Sequence, residues 1–271
     1  MGEAIARRLA ADGARLVLMA APSDREALES LSDELRAGGR DVRTATGDIA
    51  DPGTSDAAVA EAMDGFGRLD YLVNNAGVYP ERPLFEETAD FYDRIFAINV
   101  VGLQLLCRAA TAVMTAPGGA ITCTASTCSL RAIERYAAYN ISKGAVLQYA
   151  RALSVQLAPR GIRVNAVAPG VISASATDEW CRDASVWSKQ RSRIPLDRIG
   201  LPSEVAAVTA FLLSDQASYI TGATVMVDGG ESAGWRDSDW LAVPHDDPAP
   251  RLRTVGRDSF APDALLTGTA R

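Results

Sequence analysis

The sequence predicts an α/β fold in which helices cover both faces of one mostly parallel sheet. Three observations predict it. Strand-sized apolar runs alternate with helix-patterned segments from the first residues to about residue 230. Several of those runs are apolar throughout instead of alternating, as in strands buried on both faces. The chain has 271 residues with 48% hydrophobic and 23% charged residues, enough apolar material for one large domain. Regular strand–helix alternation implies right-handed crossovers and a doubly wound, Rossmann-type sheet of about seven strands.

The elements follow in order. Ala4–Ala11 contains good helix formers, with Ile5 and Leu9 four apart, and stops at Gly13; the helix is already running at Gly2. "RLVLMA" (15–20) is a buried strand. Ser23 with Glu26 makes a capping-box pattern ahead of Leu28, Leu31 and Leu35, and Gly38-Gly39 closes that helix. "DVRTAT" (41–46) alternates as a strand does. A helix over Asp56–Phe66 precedes the strand "YLVN" (71–74), and one long helix is expected from about Thr88 to Met114. The strand "AITCT" (120–124), a helix over Tyr139–Leu157 and the strand "RVNAVA" (163–168) come next. A helix over Ser203–Leu213 and the strand "TVMV" (224–227) complete the series. No internal repeat is present. After "VDGG" (227–230) the texture changes to Pro, Asp and Ser, as in a linker or surface wrap.

Composition narrows the function. The formal charge of −7 disfavours non-specific binding to nucleic acid or anionic membrane. The apolar runs are strand-sized, so no bilayer span is expected, and Arg7, Arg8 and Asp12 break any signal-peptide pattern. Cys107, Cys123, Cys128 and Cys181 lack zinc or CxxC spacing, which suits reduced thiols in a cytoplasm. The single histidine, His245, lies in the Pro/Asp-rich stretch. A histidine triad or a multi-histidine metal site is not expected.

The chemistry-bearing residues are clustered in order. "YNISK" sets Tyr139 and Lys143 four apart on one helix face. Ser126 ends the strand "AITCTAS", thirteen residues before Tyr139. Asn99 stands in "INVVG", "NNAG" (74–77) ends one strand and "PGVIS" (169–173) ends another. Parallel sheets bind ligands beyond the carboxyl ends of their strands, so Asn75, Ser126 and Pro169-Gly170 are expected at one edge. An ammonium beside a phenol favours the phenolate, which predicts a lowered pKa for Tyr139. A serine hydroxyl there can bond a substrate oxygen as charge develops on it.

With "PLDRIGLPSEVA" and "FLLSDQASYITGATVMVDGG" following, the sequence from Gly2 to Gly230 strongly resembles the short-chain dehydrogenase/reductase family. The resemblance implies an NAD(P)-dependent oxidoreductase acting on a secondary alcohol or its ketone. It gives Tyr139 the acid/base role, Ser126 the substrate oxygen, and Lys143 both Tyr139 and the nicotinamide ribose. Asn99 would hold a water that relays protons to Lys143. The implied cofactor positions are Gly2, Asp48, Ile49, Asn75, Ala76, Gly77, Tyr139, Lys143, Pro169, Gly170, Ile172 and Ser173. Asp48 would meet adenine and Asn75 the adenosine. Where the family reads the ribose, this chain has Ala20 and Ala21 and then "PSDR". Ser23 or Arg25 would suit a phosphate and Asp24 a hydroxyl, or Ser23 caps its helix. The cofactor is NADP or NAD, with a slight lean to NADP.

The family also implies a first, central strand with a glycine-rich turn ahead of Gly2, where backbone amides approach the pyrophosphate. "ALLTG" (264–268) near the carboxyl end has that pattern. The expectation is a circularly permuted single domain, with main body 1–230, connector 231–262, and 263–271 supplying the first strand, Ala264–Thr267, and Gly268 of the phosphate loop. A connector of that length reaches about 100 Å extended, ample to cross a domain. The rival account is a start assigned too late and a coincidental tail.

Substrate is weakly encoded. Residues 174–200 hold the position of the family's substrate lid, where Trp180 and Trp187 are better explained by packing than by substrate contact. Arg131 and Arg135 suit a carboxylate or polyol, or are simply solvated. "RIPLDRIG" leans faintly to sugar- or polyol-type members. Val100, Leu103, Leu105, Leu106, Val146 and Leu147 suggest helices that pair in a homodimer or homotetramer, as the resemblance implies. The competing functions are a redox-silent binding or scaffold protein, and a lyase or isomerase using Tyr139 as base.

Overall fold

In the computed structural model the first helix, α1 (Gly2–Ala11), buries Ile5, Ala6 and Ala10, and Gly13 turns the chain at φ 91°. The structure describes residues 1–114, 118–173, 188 and 190–234. These belong to a unit spanning Met1–Arg236, and Asp237–Arg271 form a second unit. His245, Trp180, Trp187, Cys181 and the strand expected at Ala264–Thr267 with Gly268 lie outside the described residues.

β1 (Leu16–Ala20) leads through a 3-10 turn to α2 (Arg25–Ala37), and β2 (Val42–Thr46) leads to α3 (Pro52–Phe66). β3 (Tyr71–Asn74) precedes α4 (Ala89–Phe96), a π-helical segment (Ala97–Gly102) and α5 (Leu103–Val113). β4 (Ala120–Thr124), α6 (Ala137–Leu157), β5 (Arg163–Pro169), α7 (Pro202–Leu213) and β6 (Thr224–Val227) follow. The alternation is the expected one, and among the described residues every strand pair is parallel.

Several boundaries differ from expectation for physical reasons. The capping box at Ser23 does not form. Pro22 opens a 3-10 turn containing Ser23, and Asp24 precedes α2 without a side-chain cap. α3 starts four residues early because Asp51 accepts a hydrogen bond from the Gly53 amide and Pro52 takes the first helical position. The single helix expected over 88–114 is broken by the π-helical segment. There Gly102 meets the 47–50 turn so closely that a Cβ would stand 2.8 Å from Ile49 Cγ2. This run, Ala89–Val113, is long and apolar enough by composition to cross a membrane, contrary to the expectation of strand-sized runs alone. More than half of it is buried, and it packs against α3 and α6 as a core element.

The described strands form two sheets, β1–β2 and β3–β4–β5–β6. Among the described residues six strands are present, not seven, and no strand joins β1 to β3. We call this gap the seam. α1 packs on α7 and α3 on α5, linking the two sheets by helices. The main core gathers Ile121 and Cys123 of β4, Val164 and Ala166 of β5, and apolar residues of α5 and α6. A smaller cluster, Ala6, Ala10, Leu16 and Val42, lies beside β1 and β2. Leu103, Leu105, Leu106, Val146 and Leu147 are buried within the chain, so they are not the pairing surface expected of them. Val101, Ile141 and Val155 are the exposed apolar residues of those helices.

Candidate active site

The site begins where β4 ends. Ser126 leaves the strand in extended backbone and caps a short 3-10 turn, its Oγ accepting from the Cys128 amide at 3.1 Å. Ser129 Oγ accepts from the Ser126 amide and donates to the Lys143 carbonyl, 2.8 Å away. The Ser126 turn is thereby fastened to α6. Asn140 reinforces the join by donating to the Ile133 carbonyl at 2.9 Å.

Tyr139 and Lys143 occupy the first two turns of α6. Lys143 is buried, and its ammonium donates to the Thr124 carbonyl at 2.8 Å, 5.8 Å from the centre of the Tyr139 ring. Burial lowers the Lys143 pKa to about 8. Burial likewise raises Tyr139, to about 12, and a hydrogen bond with Ser126 works in the opposite direction. The expected lowering of the Tyr139 pKa by the ammonium is therefore corrected. Desolvation is the largest cause and outweighs the Ser126 hydrogen bond.

Asn99 sits in the π-helical segment. Its amide donates to the Val78 carbonyl and to Ser142 Oγ, both at 2.9 Å, and its oxygen accepts from the Val78 amide at 2.8 Å. Both amide protons are thus committed to clamping the turn after "NNAG" onto α6. The side-chain amide is a brace, and both its protons are spent within the chain. A π turn re-aims a side chain that a regular helix would direct elsewhere.

The expected cofactor positions fall at the same sheet edge or next to the seam. A Cβ on Gly77 would stand 3.2 Å from both Asn99 Oδ1 and Lys143 Nζ, so glycine lets the backbone lie close against the lysine. Asn75 Oδ1 accepts from Thr124 Oγ1 at 3.3 Å, and its Nδ2 lies 3.1 Å from the place of a Cβ on Gly2. Gly2 and Asn75 therefore meet although they are far apart in sequence. Asp48 accepts from the Ala50 amide at 3.0 Å and pairs with Arg94 at 2.9 Å, and both hold its carboxyl below the usual range. Ile49 is buried under Gly102, and Ala76 is exposed. Pro169 ends β5, the Gly170 amide donates to the Val227 carbonyl, and Ile172 bridges to Gly200, whose carbonyl accepts from the Ser173 amide. Ser23 and Arg25 are exposed beyond β1, away from this cluster in sequence and joined to it by no hydrogen bond among the described residues. The close backbone approach at Gly77, the buried ammonium and the glycine approach at Gly2 fit a nicotinamide cofactor stretched along the strand ends.

Sequence reasoning missed Ser129, Ser142, Tyr79 and Glu231. Ser142 lies three residues after Tyr139 and bonds its carbonyl at 2.8 Å, so helical spacing carried a signal for it. The Tyr79 ring meets that of Tyr139 edge-on at 6.3 Å. Nothing in the local sequence pointed to Tyr79 or Glu231.

Comparison with known proteins agrees with the geometry. The family model described as enoyl-(acyl carrier protein) reductase matches residues 1–232. A versicolorin reductase of Emericella nidulans is 34% identical over 245 residues, covering 85% of this chain and 90% of that protein. An L-rhamnose 1-dehydrogenase (NAD(P)(+)) of Azotobacter vinelandii is 35% identical over 234 residues, covering 85% and 91%. The crystal structure of a short-chain dehydrogenase/reductase of the glucose/ribitol dehydrogenase kind from Brucella melitensis superposes with a TM-score of 0.79 at 37% identity, covering 85% and 91%. Serine, tyrosine and lysine brought together at the carboxyl edge of a parallel sheet, in a chain this similar to those proteins over most of its length, identify it as a member of the short-chain dehydrogenase/reductase family.

Proposed function

We propose that this chain is an NAD(P)-dependent oxidoreductase that moves a hydride between a nicotinamide cofactor and a secondary alcohol or its ketone, of sugar or polyol type. One observation carries the reading: Tyr139, Ser126 and Lys143 are bonded or stacked together at the strand ends. The sugar-type relative and the glucose/ribitol-type structure support the substrate class. The bound cofactor supplies the hydride chemistry. The chain's own residues do the rest. Tyr139 Oη takes the proton of the alcohol or returns it to the ketone oxygen, and Ser126 Oγ donates to that oxygen as charge develops. Lys143 Nζ stabilises the phenolate and bonds the ribose. Asn99 braces the turn. Gly2, Asp48, Ile49, Asn75, Ala76, Gly77, Pro169, Gly170, Ile172 and Ser173 line the cofactor. Ser23 and Arg25 tilt the choice slightly to NADP.

Two finer features belong to the same reading. One parallel strand between β1 and β3 would join the two sheets, and "ALLTG" is the segment of this chain with that strand's pattern. We propose that Ala264–Thr267 fill it, with Gly268 near Gly2, in a permuted single domain. Val101, Ile141 and Val155 would form part of a homodimer or homotetramer contact, which light scattering checks; a monomer at micromolar concentration removes it. A seam left unfilled would favour one rival, a redox-silent protein with an impaired cofactor site. Fluorescence titration with NADH and NADPH, followed by turnover on polyols, separates the two. A chain that binds neither nucleotide is not this enzyme.

A further inference from the structure

Two arginines precede Tyr139, and each is already met by a carboxylate from elsewhere in the chain. Arg131 donates to Glu231 Oε1 at 2.6 Å and to the Glu231 carbonyl at 2.8 Å. The Glu231 side chain is only 3% exposed. Its Oε2 lies 3.0 Å from where a Cβ on Gly170 would stand, so the carboxylate rests on the Pro169-Gly170 turn. Arg135 pairs with Glu81 at 2.7 Å, and the Tyr136 hydroxyl donates to the same carboxylate at 3.3 Å. Glu81 is two residues from Tyr79, the ring that meets Tyr139. Arg135 keeps a left-handed backbone, φ 68°, which costs a side-chain-bearing residue about 1–2 kcal/mol. The Arg82 amide donating to the Arg135 carbonyl at 2.8 Å helps hold it there.

We infer that Glu231 and Glu81 are specificity-determining residues: they neutralise Arg131 and Arg135 and restrict the pocket beside Tyr139 to uncharged alcohols and ketones. The inference rests on the oxidoreductase reading and names the substrate class of its site. A guanidinium with free N–H groups beside a substrate site binds a carboxylate, phosphate or sulfonate in a two-point fork. Here Arg131 spends one N–H on the buried Glu231 carboxylate and another on the Glu231 carbonyl, and Arg135 turns its Nε to Glu81. An anionic substrate would displace an internal partner or sit against two carboxylates, and either raises its free energy relative to a neutral one. The remaining charges near Glu231 do not alter the balance. Asp228 spends its oxygens on the amides of Gly230 and Ser232, and Arg193 acts on the same Glu231 carboxylate. Burial raises the Glu231 pKa while Arg131 opposes that rise, as expected for a carboxylate built into a wall.

The test uses the full chain and two secondary alcohols of equal carbon count, butane-2,3-diol and 3-hydroxybutyrate. The native chain should favour the diol in kcat/KM with NADP+ or NAD+. Glu231→Gln should move the anion-to-diol ratio up by about tenfold and Glu81→Gln by a few-fold, the range one polar contact controls. Glu81 is on the surface, so its variant decides the matter if Glu231→Gln does not fold. A native preference for 3-hydroxybutyrate, or an unchanged ratio in the variants that fold, overturns the inference. If nucleotide titration shows no cofactor binding, the oxidoreductase reading fails by itself. Calorimetric titration of the same folded variants with 3-hydroxybutyrate still reads the anion seat, and no gain of binding over the native chain overturns the inference there too.

Discussion

β4 and β5 have a parallel neighbour on each side, whereas β1 and β3 have one each among the described residues. Burial follows that difference. All of Ala120–Thr124 is buried, and so is β5 from Val164 to Pro169. In β1 only Leu16 is buried and in β3 only Asn74; Tyr71 is 44% exposed. The comparison separates two jobs. The acid/base groups stand on the closed half, where Lys143 is tied to β4 and Ser126 continues it. The glycine approach proposed for a pyrophosphate, Gly2 beside Asn75, stands at the seam. Proton transfer and pyrophosphate binding can therefore be perturbed separately.

The largest effect is expected from the candidate occupant of the seam. Deleting 262–271 should prevent folding or abolish NAD(P)H binding if Ala264–Thr267 complete the sheet, because an unpaired central strand leaves backbone groups and apolar edges open. Circular dichroism and nucleotide titration read both. A deletion variant that folds and binds as the full chain does would remove that occupant. The asymmetry between the halves would then be a property of residues 1–236 themselves.

On the closed half, Tyr139→Phe should lower turnover at least about a hundredfold, the usual size for a lost general acid/base. Steady-state kinetics on the best polyol substrate check it. Turnover within threefold of the native chain would take Tyr139 out of the chemistry.

The halves can also be compared by one pair of partners in register, Leu72 of β3 and Ile121 of β4. Ile121 is completely buried, and Ile121→Ala should cost about 2–5 kcal/mol. Leu72 is only partly buried, so Leu72→Ala should cost roughly half as much by area. Urea unfolding of the full chain measures both. Equal costs would mean that Leu72 is covered in solution.

What the sequence disclosed follows the same division. Strands and helices with strong apolar patterns were legible, and so was the Tyr139–Lys143 pair, because helical spacing alone puts both on one face. The π-helical segment was not legible. It depends on Asn99 reaching Val78 and Ser142, and on Gly102 touching Ile49, contacts no local window contains. Ser23 looked like a cap until Pro22 took the turn. Glu231 stood in a stretch whose composition resembles a linker, while its partner Arg131 lies 100 residues earlier. The sign of the Tyr139 shift also escaped, since spacing gives the neighbour but not the depth of burial.

That depth supports the smallest prediction, a pH dependence confined to the closed half. Burial lowers Lys143 from its ordinary 10.5 to about 8, so the folded chain releases this proton before the unfolded chain does. Between those two values the unfolded state binds more protons, and stability from this group rises with pH. Below about pH 8 both states carry the charge, and the folded state bears the full cost of burying it. Lys143→Met removes the group. Its melting temperature relative to the native chain should be highest and flat below pH 8, then fall steadily towards pH 10.5. Taking the difference between the two proteins cancels every other titrating group that the substitution leaves alone. A difference that is flat from pH 7 to 10.5 would mean that water reaches Lys143, and the closed half would then be no drier than the seam.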